Sequence, residues 1–80
     1  MVRVLQRGRF SVSIYDEFGE RHHLPHCHVR WPDGDAQVEL PTLIVLDGDD
    51  LPRAAVDLLR ANLAELRRVW NRLNPERPIP

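Results

Sequence analysis

The first part of the chain alternates apolar and polar residues with the period of two that is typical of β-strands exposed on one face. The alternation is clearest in residues 10–15, where the apolar positions are Phe10, Val12 and Ile14. We therefore predict a half-buried strand here, with its two serines and its tyrosine on the solvent side. Residues 2–5 are apolar enough to extend this strand or to form a short strand of their own before the next glycine.

A second alternating stretch surrounds an Asp-Gly dipeptide at positions 33–34, a pair favoured in the two-residue loops of β-hairpins. With this dipeptide as the loop, residues 27–31 pair with residues 36–40, and every apolar side chain meets an apolar one. The same register places His28 opposite Glu39 on the face away from the core. A slip of one residue would destroy this agreement, so the pattern favours the hairpin strongly.

The remaining sequence predicts one more strand and a helix. Residues 42–46 are a short apolar run with β-branched members, which indicates a strand. We then predict one long helix over residues 51–73, with Asp50 as its N-cap and Asn-Pro at positions 74–75 as its end. Its apolar residues recur at spacings of three and four: Val56, Leu59, Leu63, Leu66, Trp70 and Leu73.

These elements predict a single α+β domain over residues 1–80. It contains a small antiparallel sheet of three or four strands, built from β-hairpins and packed against one long C-terminal helix. The apolar seam of the helix is expected to cover the sheet, because both surfaces would otherwise face water; a coiled-coil contact is the alternative. Residues 75–80 are rich in proline and are predicted to form an extended tail.

Composition indicates where the protein is located and what kind of site it can form. A single cysteine excludes an internal disulfide and gives no sign of an oxidising compartment. The first residues lack the apolar core of a signal peptide, and no apolar run has the length of a membrane span. We therefore expect a cytoplasmic protein without a membrane partner. A chain of 80 residues builds an enclosed pocket with difficulty, which favours a shallow site or a site shared in a homodimer.

Charge is distributed unevenly along the chain, although the net charge is only −1. Residues 1–15 carry three arginines and no acid, residues 16–50 carry nine acids against two arginines, and residues 51–74 carry five arginines against two acids. This pattern differs from the broadly basic footprint of a dedicated DNA-binding protein. Every cation is arginine, which reflects either the coding bias of a GC-rich genome or bidentate contacts to phosphate or carboxylate.

All four histidines lie within seven residues, at positions 22, 23, 26 and 28. Imidazole titrates near neutral pH and is the commonest metal ligand. His26 and His28 share one face of the predicted strand, and His22 from the preceding loop can supply a third ligand, with Glu39 as a fourth. The cluster therefore suggests a site for zinc or another divalent metal.

The same residues also suggest acid–base chemistry without a metal. A carboxylate at Glu39 would orient the imidazole of His28, and Arg30 would hold a phosphate. Such a site can cleave RNA with the 2′-hydroxyl as the internal nucleophile. The candidate catalytic residues are His26, His28, Arg30 and Glu39. The alternative is that the histidines are hydrogen-bonded within the sheet or form an interface with a partner.

The histidine segment resembles a small prokaryotic family known as domain of unknown function 4160. The family motif is His, two spacer residues, Pro-His, one residue and His-Val, and it corresponds here to His22, Pro25, His26, His28 and Val29. The likeness extends over about residues 4–73. Cys27 departs from the pattern, because the family usually has an aromatic residue at that place.

The resemblance implies a component of a bacterial module of toxin–antitoxin type. On this interpretation the chain binds a small cognate protein from the same operon, and also RNA, through the histidine-bearing face of its sheet. Two alternatives stay open. One is a small ribonuclease or metal-dependent hydrolase that uses His26, His28 and Glu39, and the other is a non-enzymatic metal-binding domain.

Overall fold

The computed structural model describes residues 1–16 and 24–80. Five antiparallel strands lie in the sheet in their chain order: β1 (Val2–Arg7), β2 (Phe10–Ile14), β3 (His26–Trp31), β4 (Gly34–Glu39) and β5 (Val45–Gly48). They are followed by two helices, α1 (Arg53–Ala61) and α2 (Leu63–Leu73). The α+β class is confirmed. The expected three or four strands and one long helix are wrong, since the described residues form five strands and two helices.

The first additional strand comes from the N-terminal segment. Residues 2–5 belong to a separate strand because Gly8, with φ of 55°, lies in the turn that reverses the chain between β1 and β2. β1 pairs along β2 with a register shift between Arg3 and Leu5. The side chain of Arg3 therefore belongs to the same face of the sheet as its partner Ser13.

The fifth strand begins later than the apolar run over residues 42–46 predicts. After β4 the chain turns, and Leu43 adopts φ of 66° while its N–H donates to the carbonyl of Glu39 at 2.8 Å. The carbonyl of Ile44 then accepts from the N–H of Glu39 at 2.8 Å, which brings the chain back beside β4. Val45 starts a short edge strand.

The predicted helix is interrupted at Asn62, where φ is −122°. The side chain of Asn62 donates to the carbonyl of Leu58 at 2.8 Å, a local hydrogen bond of the kind that competes with the helical ladder. The first helix also starts late: Pro52 is its N-cap residue, so the expected cap at Asp50 is wrong. Within the described part of the chain, no helix is long and apolar enough to span a membrane.

The β3–β4 hairpin turns at Pro32 and Asp33, not at the predicted Asp-Gly pair. Trp31 pairs with Gly34, and the remaining pairs are displaced by two residues from the predicted register. Proline at the second position and glycine at the fourth suit a type I turn, and this signal outweighs the Asp-Gly dipeptide. A displacement of two residues preserves the alternation, so Cys27, Val29 and Trp31 stay buried and Arg30 stays exposed, as predicted.

The core lies between the sheet and the two helices. Trp31 is 8% exposed and Trp70 is fully buried, as the apolar pattern predicts. The sheet contributes chiefly Phe10, Val12, Ile14, Cys27, Val29, Trp31, Ala36 and Val38, and the helices contribute Ala55, Leu59, Leu66, Val69 and Trp70. This packing covers one face of the sheet and leaves the other face open to solvent.

The C-terminal residues 75–80, predicted as an extended tail, leave α2 in a turn and lie back against it. The indole N–H of Trp70 donates to the carbonyl of Arg77 at 2.7 Å. Asn71 both donates to the carbonyl of Ile79 at 3.0 Å and accepts from its N–H at 2.7 Å. Ile79 is consequently 5% exposed and belongs to the core.

Cys27 is expected to resist thiol reagents in the folded protein. Its side chain is fully buried, and this burial raises the pKa of the thiol to about 12. Because the thiolate is the reactive species, dithionitrobenzoate at mildly alkaline pH should label the native protein very slowly. In urea the same reagent should label one thiol per chain rapidly. Fast labelling of the native protein would contradict the burial of Cys27.

Candidate functional site

The solvent-facing side of the sheet, here called the open face, carries polar side chains from all five strands. The register aligns one residue of each strand in a transverse row: Arg3 of β1, Ser13 of β2, His28 of β3, Gln37 of β4 and Asp47 of β5. A second row contains Gln6, Ser11, Arg30 and Asp35. Except for Gln6, the residues of the two rows line a shallow concavity of about 250 Å³, to which Tyr15 also contributes.

The charge of the open face changes sign across the sheet. Arg3 and Arg30 lie on the β1–β3 side, whereas Asp35 and Asp47 lie on β4 and β5. Arg30 and Asp35 are opposite each other on neighbouring strands, about 4.8 Å apart, so both signs lie within the dimensions of one small ligand there. The concavity can therefore bind a molecule that is anionic at one end and rich in hydrogen-bond donors at the other.

The ion pairs that described residues make with one another lie on the helices, away from the open face. Arg53 pairs with Asp57 at 3.1 Å, and Arg68 pairs with Glu65. The hydrogen bond from Arg68 lowers the pKa of Glu65. Both pairs are exposed and contribute little to stability. Neither involves Arg3 or Arg30, so the open-face guanidiniums keep donors for a ligand.

Two aromatic rings lie side by side in the concavity. The ring centroids of Tyr15 and His28 are 4.3 Å apart, and the ring planes are tilted by 55°. Tyr15 is 38% exposed, and its carbonyl accepts a hydrogen bond at 3.2 Å from the buried side chain of Asn74 at the end of α2. The backbone of Tyr15 is thus held by the helix layer, while its ring remains accessible.

His26 is buried, whereas the alternation predicts that its imidazole is exposed to solvent as a catalytic group or metal ligand. It is only 6% exposed, and its ring centroid lies 5.0 Å from that of His28 and 5.6 Å from that of Trp70. Its Nδ1 atom is 2.7 Å from the carbonyl oxygen of Leu24, a geometry in which the ring nitrogen donates. Its expected position on the wet face is therefore corrected: the start of β3 folds against the helix layer.

The predicted pairing of His28 with Glu39 is wrong. In the observed register Gln37 lies opposite His28, and Glu39 lies opposite His26. The carboxylate of Glu39 instead accepts a hydrogen bond from the hydroxyl of Thr42 in the following turn. Arg30 does lie on the open face, exposed to solvent. The structure thus joins His28 to Arg30 in one concavity but separates both from the expected carboxylate.

The predicted metal site rests on a residue outside the described part of the chain. His22 falls between residues 16 and 24, so the set of His22, His26 and His28 stays a prediction. Within residues 1–16 and 24–80, no group of three or more histidine, cysteine, aspartate or glutamate side chains is arranged to hold a metal ion.

Several open-face residues were not among the predicted site residues. Arg3, Gln37 and Asp47 enter the site through strand pairing, because each lies far from the histidine segment in sequence. The glycine at position 8 was the available signal for Arg3, since a hairpin there brings β1 beside β2. For Asp47, the preceding apolar run predicts a strand but does not indicate that this strand pairs with β4.

An antiparallel sheet with helices on one face and a polar concavity on the other defines an α+β domain with one covered and one open sheet face. The family described as Domain of unknown function (DUF4160) matches residues 10–71 of the chain. The protein therefore belongs to this family, which confirms the resemblance seen in the histidine segment. No curated protein and no solved structure matches the chain.

Proposed function

We propose that the protein binds single-stranded RNA across the open face of its sheet, as a component of a module of toxin–antitoxin type. The observation that carries this proposal is the joint presence of two guanidiniums, two hydroxyls and an accessible aromatic ring in one concavity. Proteins that bind single-stranded RNA on a sheet combine phosphate contacts from arginine with stacking of bases on aromatic side chains.

The phosphate contacts belong to the β1–β3 side. Arg3 and Arg30 flank β2, whose Ser11 and Ser13 lie between them in the two transverse rows. A guanidinium presents several donors in a planar fork that matches phosphate oxygens, and hydroxyls add neutral hydrogen bonds. This side of the open face therefore offers a path for the phosphate backbone along β2.

The base contact belongs to Tyr15 and His28. Their rings lie 4.3 Å apart, and Tyr15 keeps 38% of its surface exposed. Stacking on such rings tolerates any base and adds affinity without fixing sequence.

Binding is favoured over cleavage by the positions of the other candidate catalytic residues. His26 is 6% exposed and faces Trp70, and Glu39 is engaged by Thr42. A substrate on the open face reaches His28 and Arg30, but the predicted acid–base partners His26 and Glu39 do not line the concavity. The ribonuclease and hydrolase alternatives, the cognate protein partner and the homodimer stay predictions.

Removal of both open-face arginines is expected to weaken RNA binding at least about tenfold, because each phosphate contact contributes to affinity and releases a counterion. Fluorescence anisotropy with a labelled mixed-sequence RNA of about ten nucleotides measures this for Arg3→Ala/Arg30→Ala. The slope of log Kd against log salt should fall by about 1.4, since single-stranded RNA contributes about 0.7 per phosphate contact.

The matched control is Arg53→Ala/Arg60→Ala, which removes the same charge from the exposed surface of α1. Its affinity should stay within about twofold of the wild-type value, as expected for charges away from the contact. Equal losses in the two double variants would mean unspecific attraction and would contradict the proposal. So would a wild-type protein that binds no RNA at about 100 µM in low salt. Cleavage of the labelled RNA by the wild type but not by His28→Ala would favour the ribonuclease alternative.

A further inference from the structure

Two carboxylates of the open face are not explained by phosphate binding. Asp35 and Asp47 line the same concavity as Arg3 and Arg30, yet each would repel a phosphate. Both are exposed, and Asp47 lies beside Gln37 in the transverse row. If RNA occupies this surface, the β4–β5 side must contact a part of the nucleotide that is not anionic.

The dimensions of the sheet place that part at the base. Arg3 and Asp47 are separated by four strand spacings, about 19 Å at 4.8 Å each, and the central position of the row is His28. Arg3 and Asp47 nevertheless line the same concavity, so their side chains span part of this gap. A nucleotide with its phosphate on the β1–β3 side then places its base over His28 and its hydrogen-bonding edge towards Gln37 and Asp47.

A carboxylate accepts hydrogen bonds and donates none. Guanine presents two adjacent donors on its Watson–Crick edge, the ring N1–H and the 2-amino group, which match the two oxygens of one carboxylate. Adenine and cytosine present an amino group beside a ring acceptor, and uracil presents one N–H between two carbonyl groups. In each of these bases an acceptor would face the carboxylate.

We propose that Asp47, supported by Gln37, selects guanine in the bound RNA. This inference rests on the proposed RNA binding. Asp47 is then a specificity-determining residue. The basic side of the open face binds the phosphate of the nucleotide, and the acidic side binds the edge of its base.

The test compares uridine-based RNA strands that differ only in one central base, using anisotropy on the full chain. The wild type should bind the guanine strand about tenfold more tightly than the adenine strand, in the range expected for one bidentate base contact. Inosine, which lacks the 2-amino group, should give a clear loss relative to guanine. These comparisons need no protein variant.

Asp47→Asn should reduce the guanine-to-inosine preference to less than about twofold, because an amide no longer accepts at both atoms. The matched control is Asp50→Asn, an exposed aspartate that does not line the concavity, and it should keep the preference. RNA binding without preference for guanine would overturn this inference and leave the proposed function standing. Absence of RNA binding would overturn both. An unchanged preference in Asp47→Asn would also overturn the assignment.

Discussion

Trp70→Ala is expected to lower the free energy of unfolding by about 3–5 kcal/mol, the usual cost of deleting a buried tryptophan side chain. Trp70 is fully buried, its ring contacts His26, and its indole N–H donates to the carbonyl of Arg77 at 2.7 Å. A domain of 80 residues has a total stability of roughly 4–12 kcal/mol. The variant should therefore lose at least about a quarter of the total stability.

Urea denaturation followed by far-ultraviolet circular dichroism measures this effect without depending on tryptophan fluorescence. Leu46→Ala is a suitable control, because Leu46 is 42% exposed and its removal should change stability by less than about 0.5 kcal/mol. Trp70→Phe retains most of the apolar volume but leaves the carbonyl of Arg77 without the indole donor, which costs about 1–3 kcal/mol. A loss below about 1 kcal/mol for Trp70→Ala would contradict the buried position of the indole.

Gly48→Ala is expected to lower the free energy of unfolding by about 3 kcal/mol or more, through backbone strain together with overpacking. Gly48 has φ of 99°, a conformation that residues with a side chain rarely adopt. A Cβ atom at this position would lie 2.5 Å from the carbonyl oxygen of Asp35 and 2.8 Å from the Cα atom of Ala36. Both contacts are with the backbone of β4, so relief requires β5 to move away.

The matched control is Gly8→Ala. Gly8 has φ of 55°, but a Cβ atom there would meet nothing within 4 Å, so only the strain of about 1–2 kcal/mol applies. Urea denaturation should separate the two variants clearly. Because Gly48 follows Asp47, its substitution should also disturb the acidic side of the open face. Equal destabilisation by the two substitutions would show that close packing of β5 on β4 is not the cause.

For most strand residues the face of the sheet follows from the sequence, with the buried His26 as an exception. Ser11, Ser13, His28 and Arg30 lie on the polar side of the sheet, as the alternation predicts. This works because burial of one face is energetically dominant and the strand period is two, so any register that differs by an even number of residues gives the same faces. For the same reason the pattern cannot distinguish such registers from one another.

That degeneracy explains the wrong partner for His28. Hairpins that turn at positions 32–33 and at positions 33–34 both bury Cys27, Val29 and Trp31, and the choice between them depends on local turn geometry. Similarly, the spacings of three and four continue through Asn62, while the side chain of that residue ends the first helix by bonding to the carbonyl of Leu58. Local turn geometry decided the first outcome, and a local hydrogen bond decided the second.

The amino-acid pattern alone therefore accounts for the α+β class, the core residues of β2 and β3, and the histidine segment that marks the family. The open face as a site arose from pairing between distant segments: Arg3 beside Ser13, and Asp47 beside Gln37. The burial of His26 likewise depends on Trp70, which lies 44 positions further along the chain. Periodicity reports the environment of a residue relative to its own strand or helix, whereas these contacts depend on the packing of separate elements.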